Sequence, residues 1–382
     1  MFNRILSGKI LLLLIIVIVS GITVLGCAPT GAQPKGWSGG TIADGTLFLG
    51  SMEGKVAAVN ISTHVRLWPD VLLETKPAGG GLSGGLSCTP TSTRVAIYGT
   101  PAVAGGLVYV SGYNGKVYAF SSSSGTLRWV YPRQGNLQPI IGGPIVSQGK
   151  VYFGCSDGKV YALDAANGDW IWEFPTGDKI WSTPTIDGGT LYISSFDKKI
   201  YALDVTTGKK KWEFETQGAI TSTPLVYNNT IYTGSFDRYL YAVDATDGSL
   251  IWKSKAEADS WFWANPVICN NTVHAPCLDG KIYILNAGSG DIINTIDLGS
   301  PICSSPVLVD DLLIIASEEG VIYAIDTRSF QKSELKNLGE KIYASLCASD
   351  ETVYIHTQKH ETLYALNAQT GVVLWSLPLT SK

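Results

Sequence analysis

Short runs of alternating apolar and polar residues, separated by turn residues, recur through most of the chain. The stretch that begins at Lys179 is representative, and its four runs are rich in β-branched and aromatic residues. The runs are Trp181–Ile186, Thr190–Ser195, Lys199–Asp204 and Lys210–Glu215. Alternation over such short runs predicts four strands, whereas an amphipathic helix would show a period of about 3.6 residues.

The third run recurs at a nearly constant interval of 40 to 43 residues. Its seven tyrosine-centred copies lie at Tyr118, Tyr161, Tyr201, Tyr241, Tyr283, Tyr323 and Tyr364. An eighth copy has Ala57 at this place, 61 residues before Tyr118, so an insertion separates these two copies. A repeat of about 40 residues that holds four strands is the unit of a β-propeller. We therefore predict an all-β fold: one eight-bladed β-propeller of four-stranded antiparallel blades over residues 37–379.

Turn residues and a tryptophan occupy fixed places in the repeat. An Asx-x-x-x-Gly turn, such as Asp204 to Gly208, follows the third run; the Asx side chain can cap a turn whose glycine takes positive φ. Six repeats have a tryptophan eight residues after the Asx position, at Trp68, Trp129, Trp172, Trp212, Trp252 and Trp375. Asn294 and Glu334 replace it in blades six and seven. We expect each indole ring to pack against the turn of the neighbouring blade.

The repeated pattern YALDxxTGxxxW is similar to the tryptophan-docking repeat of the pyrroloquinoline quinone (PQQ)-like β-propeller family, over about residues 36–379. That family includes PQQ-dependent quinoprotein dehydrogenases and also non-enzymatic, BamB-like lipoproteins of the cell envelope. Membership among the enzymes would imply PQQ stacked between a tryptophan and a disulfide of adjacent cysteines, with calcium held by carboxylates. The chain has no adjacent cysteines and is close to the minimal repeat length. We therefore expect no cofactor, with PQQ and calcium only if the enzyme alternative holds.

The first 26 residues form a separate segment. Arg4 and Lys9 precede an unbroken apolar core, the arrangement of a secretory signal peptide, although a permanent membrane helix is the alternative. The sequence VLGC, which ends at Cys27, resembles a bacterial lipobox. We predict cleavage before Cys27, lipidation of Cys27 and a flexible tether over residues 27–36. The mature protein would then be exported and anchored to a membrane by lipid.

The insertion in blade one covers about residues 71–94 and is dominated by glycine, serine and threonine from Gly79 to Ser87. Such a composition cannot bury enough apolar surface to order itself. We expect a loop that projects from the ring between blades one and two, either as a partner-binding element or as neutral decoration.

The balance of charge excludes one class of partner. Removal of the leader with Arg4 and Lys9 would leave 26 basic and 32 acidic residues, a net charge near −6. A nucleic-acid-binding protein typically presents a basic surface. We therefore expect no nucleic-acid partner.

Six cysteines remain once Cys27 is assigned to lipid, and an even number in an exported protein permits disulfides. Most of them stand in strand patterns where other blades have serine, valine or isoleucine, which favours buried thiols. Cys269 and Cys277 are the best candidate pair for a disulfide. A CxxC pair is missing, so the sequence does not indicate a structural zinc site.

Candidate catalytic and metal-binding residues are few. His356 and His360 have the spacing of a helical metal pair, but in a strand and its turn this spacing separates them by roughly 13 Å. The aspartates that recur at the hairpin between the second and third runs, Asp157, Asp197, Asp237 and Asp279, are expected to stabilise turns. We predict no catalytic residue and no metal ligand.

One column of the aligned repeats is rich in aromatic residues. It stands near the start of the first run of each blade and contains Trp37, Tyr98, Ile141, Trp181, Thr221, Trp263, Cys303 and Tyr343. In a closed ring these side chains would surround one mouth of the central channel, with Trp261 beside them. Either packing or binding would favour aromatic residues here. The binding hypothesis assigns Trp37, Tyr98, Trp181, Trp261, Trp263 and Tyr343 to a ligand or partner site, since aromatic residues are enriched at binding hot spots.

Taken together, these features predict a lipid-anchored, non-enzymatic binding or assembly scaffold of the cell envelope. Its partners would be envelope proteins or an assembly machinery, and the ring would be monomeric. The alternatives are a PQQ-dependent oxidoreductase and a surface receptor for a sugar or another small ligand.

Overall fold

The computed structural model describes residues 36–75, 93–255 and 257–380. Thirty-two strands form eight four-stranded antiparallel sheets, and two short strands form a ninth. The predicted signal peptide, Cys27 and most of the tether lie outside the described residues, as does most of the predicted insertion.

Blades one to four follow one another without a shared strand. Blade one contains β1 (Gly40–Ala43), β2 (Thr46–Gly50), β3 (Lys55–Asn60) and β4 (Val71–Leu72), and the small extra sheet contains β5 (Glu74–Thr75) and β6 (Thr93–Arg94). Blade two contains β7 (Ala102–Ala104), β8 (Leu107–Gly112), β9 (Lys116–Ser121) and β10 (Leu127–Tyr131). Blade three contains β11 (Ile145–Ser147), β12 (Lys150–Gly154), β13 (Lys159–Asp164) and β14 (Trp170–Pro175). Blade four contains β15 (Thr185–Asp187), β16 (Thr190–Ser194), β17 (Lys199–Asp204) and β18 (Lys210–Glu215).

Blades five to eight repeat the same order. Blade five contains β19 (Leu225–Tyr227), β20 (Thr230–Gly234), β21 (Leu240–Asp244) and β22 (Leu250–Lys253). Blade six contains β23 (Val267–Cys269), β24 (Thr272–Pro276), β25 (Lys281–Asn286) and β26 (Ile292–Asp297). Blade seven contains β27 (Val307–Val309), β28 (Leu312–Ala316), β29 (Val321–Asp326) and β30 (Lys332–Asn337). Blade eight contains β31 (Cys347–Ser349), β32 (Thr352–His356), β33 (Thr362–Asn367) and β34 (Val373–Pro378).

The predicted fold class is confirmed: the described residues form an all-β, eight-bladed propeller. First strands of neighbouring blades, such as β15 and β19, contact one another, so the first strands line the axis. The first strands are shorter than predicted. In blade four, for example, the predicted run begins at Trp181, but the strand begins at Thr185. Pro184 has no N–H to donate to a strand ladder, and Thr183 instead accepts a hydrogen bond from the preceding blade.

The base of the insertion is ordered into regular structure. Val71 and Leu72, placed in the insertion by the sequence, form the fourth strand of blade one and pair with Val56 and Lys55. The pairing of β5 with β6 then brings the two ends of the loop together. Blade one is therefore complete before the rest of the segment that joins it to blade two.

The recurrent tryptophans join neighbouring blades, as predicted. In five seams, an indole N–H donates to a backbone carbonyl in the turn of the next blade, over 2.8 to 3.4 Å. The ring lies on the glycine of that turn: a Cβ at Gly248 would lie 2.6 Å from the ring of Trp212. Glycine is required here both by this close approach and by a φ of +77°.

The seam between blades six and seven uses a different pair of residues. Asn294 stands at the tryptophan position, opposite Ile284 in the register where Trp212 opposes Ala202. In the turn of blade seven, Phe330 stands at the glycine position with a φ of +58°. Its ring packs in the seam, 6.3 Å from the ring of His274. The aromatic side chain thus comes from the turn instead of from the outer strand.

The ring closes between blades eight and one by side-chain packing. Leu47, Tyr354, Leu363 and Leu379 share one buried cluster. The buried carboxylate of Glu361 accepts hydrogen bonds from the backbone N–H groups of Met52 and Glu53. Burial raises the pKa of Glu361. Among the strands that the structure describes, neither terminal blade contributes one to the other.

The hairpin aspartates have the structural role expected of them. Asp197 accepts hydrogen bonds from the Tyr201 hydroxyl and from the backbone N–H of Gly177, each at 2.6 Å. Asp157, Asp237 and Asp279 accept the equivalent tyrosine hydroxyls at 2.6 to 2.7 Å. Each carboxylate therefore fastens the third strand to its own hairpin.

Candidate functional site

All eight residues of the aromatic column line a single cavity on the ring axis. The cavity has a volume of about 130 Å³. We call its open end the mouth, and the residues two positions further along each first-strand segment the floor. The prediction that the column surrounds one end of the channel agrees with this geometry. Its binding role remains a prediction.

The mouth carries a continuous aromatic cluster on blades four to six, formed by Trp181, Phe196, Phe236, Trp261 and Trp263. Phe236 stacks on Trp261 with ring centroids 4.7 Å apart and lies nearly parallel to Trp263 at 6.0 Å. Trp181 meets Phe196 edge-on at 4.6 Å and Trp263 at 6.4 Å. Trp261 is 41 % exposed, so the cluster reaches solvent.

Phe196 and Phe236 were missed by the sequence analysis. They follow the second strands of blades four and five, and the equivalent residues elsewhere vary in character: Met52, Tyr113, Ser156, Leu278, Glu318 and Gln358. Comparison of this second column between repeats would have revealed that aromatic residues occupy adjacent blades here. Phe236 packs against both Trp261 and Trp263, and Phe196 packs against Trp181, so the two phenylalanines enlarge the cluster around the contact between Trp181 and Trp263.

Lys179 lies over two rings of this cluster. Its Nζ lies 4.7 Å from the ring centroid of Trp181 and 4.4 Å from that of Phe196. A cation over an aromatic face gains about 0.5–2 kcal/mol, depending on solvent exposure. Lys179 therefore holds the two rings in place from one side and gives this part of the mouth a positive charge.

The opposite side of the mouth is formed by Trp37, Tyr98 and Tyr343. Trp37 packs 4.6 Å from Tyr98 and 5.5 Å from Tyr343. The Tyr343 hydroxyl donates to Glu318 at 2.9 Å, and Lys341 forms an ion pair with the same carboxylate at 2.5 Å. Burial, with the hydrogen bond to Glu318, raises the pKa of Tyr343 to about 12. Burial, with the nearby Tyr113, raises the pKa of Tyr98 to about 12, so both phenols stay neutral.

The floor consists of glycines, threonines, serines and Asn265, and three of its side chains link neighbouring blades. Thr183 Oγ1 accepts the N–H of Gly143 at 2.9 Å. Asn265 Oδ1 accepts the N–H of Thr223 at 2.7 Å, and Ser305 Oγ accepts the N–H of Asn265 at 3.1 Å. Each of these bonds runs from one blade to the next. The floor therefore connects neighbouring blades near the axis and presents a polar surface beneath the aromatic mouth.

Cys303 is the sulfur-bearing residue of the column. Burial, with the nearby Glu318, raises the pKa of its thiol to about 12, so the thiol stays protonated at neutral pH and is a poor nucleophile. The five described cysteines, Cys155, Cys269, Cys277, Cys303 and Cys347, are free thiols. The candidate pair Cys269 and Cys277 is therefore not joined by a disulfide.

The two histidines considered as a metal pair lie in different surroundings. His356 is buried, and its Nδ1 lies 3.4 Å from the carbonyl oxygen of Ser38. His360 is exposed and pairs with Glu340 at 2.6 Å. Across residues 36–75, 93–255 and 257–380, no three His, Cys, Asp or Glu side chains are grouped to hold a metal ion. The same described ranges contain no helix with the length and apolarity needed to cross a membrane.

Comparison with known proteins establishes the family. The family described as outer membrane protein assembly factor BamB matches residues 29–179 and 175–377. The chain belongs to this PQQ-like propeller family. No curated protein matches the chain.

Two solved structures show the same fold as this BamB-family chain. BamB from Moraxella catarrhalis is 19 % identical, with coverage of 88 % of this chain and 92 % of that chain and a TM-score of 0.65. The computationally designed protein Ika8 is 15 % identical, with coverage of 87 % and 96 % and a TM-score of 0.70. At these identities the similarity is one of fold.

Proposed function

We propose that the protein is a membrane-anchored, non-enzymatic scaffold of the cell envelope that supports outer-membrane protein assembly. Family membership suggests the assembly role, since the matching family is described as an outer membrane protein assembly factor. The anchor would be lipid on Cys27. The aromatic mouth would be the surface that holds a partner protein.

The open aromatic cluster is the observation that carries the docking role. Trp261 is exposed and stacks on Phe236, and the cluster continues from there to Trp263 and Trp181, which line the cavity. Tryptophan and tyrosine contribute much of the binding energy at protein interfaces, typically from well-packed clusters near the centre of the contact. An aromatic cluster that reaches solvent at the mouth favours a role in partner binding over a role in packing alone.

The chemistry of the cavity supports a binding role over a catalytic one. Among the described residues that line it, no side chain carries a charge, and the Cys303 thiol is protonated. General acid–base catalysis requires a titratable group within hydrogen-bonding reach of the reacting atoms. The hydroxyl-lined floor beneath aromatic rings favours a sugar receptor as the second candidate, although about 130 Å³ is small beside the usual 300–1,000 Å³ of small-molecule sites.

The test is affinity capture of the full-length lipidated protein from membranes after crosslinking. The double variant Trp181→Ala with Trp263→Ala should lose co-purifying components of the β-barrel assembly machinery while the protein remains folded. Trp170→Ala is the matched control, because Trp170 is 54 % exposed on the outer strand of blade three, away from the mouth. It should retain the partner.

Two results would contradict the proposal. If the double variant melts at a much lower temperature and its partner remains bound, the tryptophans serve packing. Binding of added PQQ and calcium, with dye-linked alcohol oxidation, would instead identify an enzyme.

A further inference from the structure

Asn265 stands out among the floor residues. The equivalent positions in the other blades hold only glycine or a hydroxyl side chain: Gly39, Thr100, Gly143, Thr183, Thr223, Ser305 and Ser345. Asn265 is half-buried, lines the cavity and lies two residues beyond Trp263, so that the amide stands beneath the aromatic cluster. It is the one floor side chain that offers two N–H donors.

The hydrogen bonds around Asn265 fix which way its amide points. The backbone N–H of Thr223 donates to Oδ1, so the oxygen faces blade five and Nδ2 faces away from that contact. Nδ2 has no hydrogen-bond partner among the described residues, and it is not fully buried. Its two protons are therefore available to a group in the cavity.

The neighbouring floor residues also offer hydrogen-bond donors to the cavity. The oxygens of Thr183 and Ser305 already accept backbone N–H groups of the preceding blades. Each hydroxyl keeps its proton as a free donor. With the Asn265 amide, this side of the floor offers more donors than acceptors, and the complementary ligand is an acceptor such as a carbonyl oxygen.

Charge and size restrict the acceptor further. None of the described residues that line the cavity is charged, since Lys179 lies over the Trp181 ring but is not part of that lining. An ionised carboxylate buried in the cavity without a charged partner carries a large desolvation cost. The volume of about 130 Å³ suits a single side chain and is too small for a typical drug-sized ligand. An uncharged carboxamide on a short apolar stem combines these properties, with its stem against Trp181 and Trp263.

We propose that the central cavity receives an uncharged carboxamide side chain of a partner protein, glutamine or asparagine, whose carbonyl oxygen accepts hydrogen bonds from the Asn265 amide. This inference rests on the proposed docking function and names the chemistry of its central contact. The aromatic cluster would contact the partner around the inserted side chain.

Small amides test the site directly in the full-length protein. Butyramide reproduces the glutamine side chain with its Cα, and butyrate is its charged counterpart. In saturation-transfer NMR we expect butyramide to bind and butyrate to bind at least about tenfold more weakly, as burial of an unpaired charge requires. N-acetylglucosamine, as the sugar probe, is expected to compete weakly or not at all.

Two variants separate recognition from stability. Asn265→Thr keeps a side-chain oxygen for the Thr223 N–H, as Thr183 does for Gly143, but removes the two amide donors. It should fold with an unchanged melting temperature and weaken butyramide binding about 2- to 10-fold, the loss of one neutral hydrogen bond. Asn265→Asp keeps the acceptor as well, and it should abolish binding because it places a second acceptor where the donors were.

The outcomes also distinguish this inference from the proposed function. If the tryptophan double variant loses the partner but Asn265→Thr does not, docking stands and the carboxamide contact is wrong. Preference for butyrate, or equal binding to wild type and Asn265→Asp, would overturn the inference directly. Preferential binding of N-acetylglucosamine would replace it with a sugar site.

Discussion

The seam between blades six and seven allows a quantitative test of how the ring is held together. Phe330 fills the space that a tryptophan from the preceding blade fills in other seams, while Asn294 stands at the tryptophan position. Phe330→Gly alone should destabilise the protein by about 1–3 kcal/mol. Removing a buried phenylalanine costs about 3–5 kcal/mol, but Phe330 is half-buried, and glycine relieves about 1–2 kcal/mol of strain at its φ of +58°.

Asn294→Trp should destabilise the protein alone but restore stability when it is combined with Phe330→Gly. Asn294→Trp alone inserts a ring into a space that Phe330 occupies, at a cost of about 1–3 kcal/mol. The double variant recreates the arrangement of Trp252 on Gly290 in the previous seam, where the indole N–H donates to Ala287 at 2.8 Å. We expect it to be at least about 2 kcal/mol more stable than the two single effects predict together.

The assay is urea unfolding of wild type, both single variants and the double variant. The free energies of unfolding are compared only if the slopes of free energy against urea concentration agree. A coupling energy near zero would refute the reasoning. Such a result would mean that Phe330 and the missing tryptophan do not compete for the same space. A double variant less stable than either single variant would show that the turn of blade seven cannot adopt the standard docking geometry.

Three further predictions concern other parts of the chain. Gly248→Ala should cost about 1–3 kcal/mol more in unfolding free energy than Gly45→Ala, because both have positive φ but only the Cβ at Gly248 meets a tryptophan ring; equal losses would contradict this. Burial lowers the pKa of His274 and His356 to about 4, so their contribution to stability is complete above about pH 6.5 and is lost as the pH falls toward 4. His274→Tyr, which restores the tyrosine of other blades, should remove roughly half of that loss in melts across this range, and an unchanged pH profile would be the contrary result. Cys27→Ser should abolish incorporation of labelled palmitate, whereas persistent labelling would place the lipid elsewhere.

The fold was predictable because the same physical signals recur in most blades. Asx-x-x-x-Gly turns, strand-length alternation and the tryptophan position are local, so a single blade shows them, and their repetition along the chain indicates a propeller. The first-strand column at Trp181 and Trp263 was found for the same reason. It depends on register within a repeat, and the repeats share that register.

Features that depend on contacts between blades could not be obtained in this way. Asn294 was visible as a departure, but Phe330 is its counterpart only because the turn of one blade packs on the outer strand of the blade before it. Phe236 joins the mouth through stacking with side chains of the next blade. The role proposed for Asn265 depends on the hydrogen bond that its Oδ1 accepts from the backbone of blade five, which leaves Nδ2 unused. Each requires coordinates, since sequence spacing does not specify which side chains meet across a seam.

The side-chain closure between blades eight and one has a consequence for chain connectivity. Leu379 makes the backbone hydrogen bond to Glu361 that Thr216 makes to Lys198, so it marks the start of a junction equivalent to those inside the chain. Four residues separate Thr216 from Thr221, the residue that corresponds to Trp37. A four-residue linker from Leu379 to Trp37, with new termini opened at another junction, would preserve every strand pairing. The propeller thus has no obligatory first blade, and circular permutants of the ring should fold to the same structure.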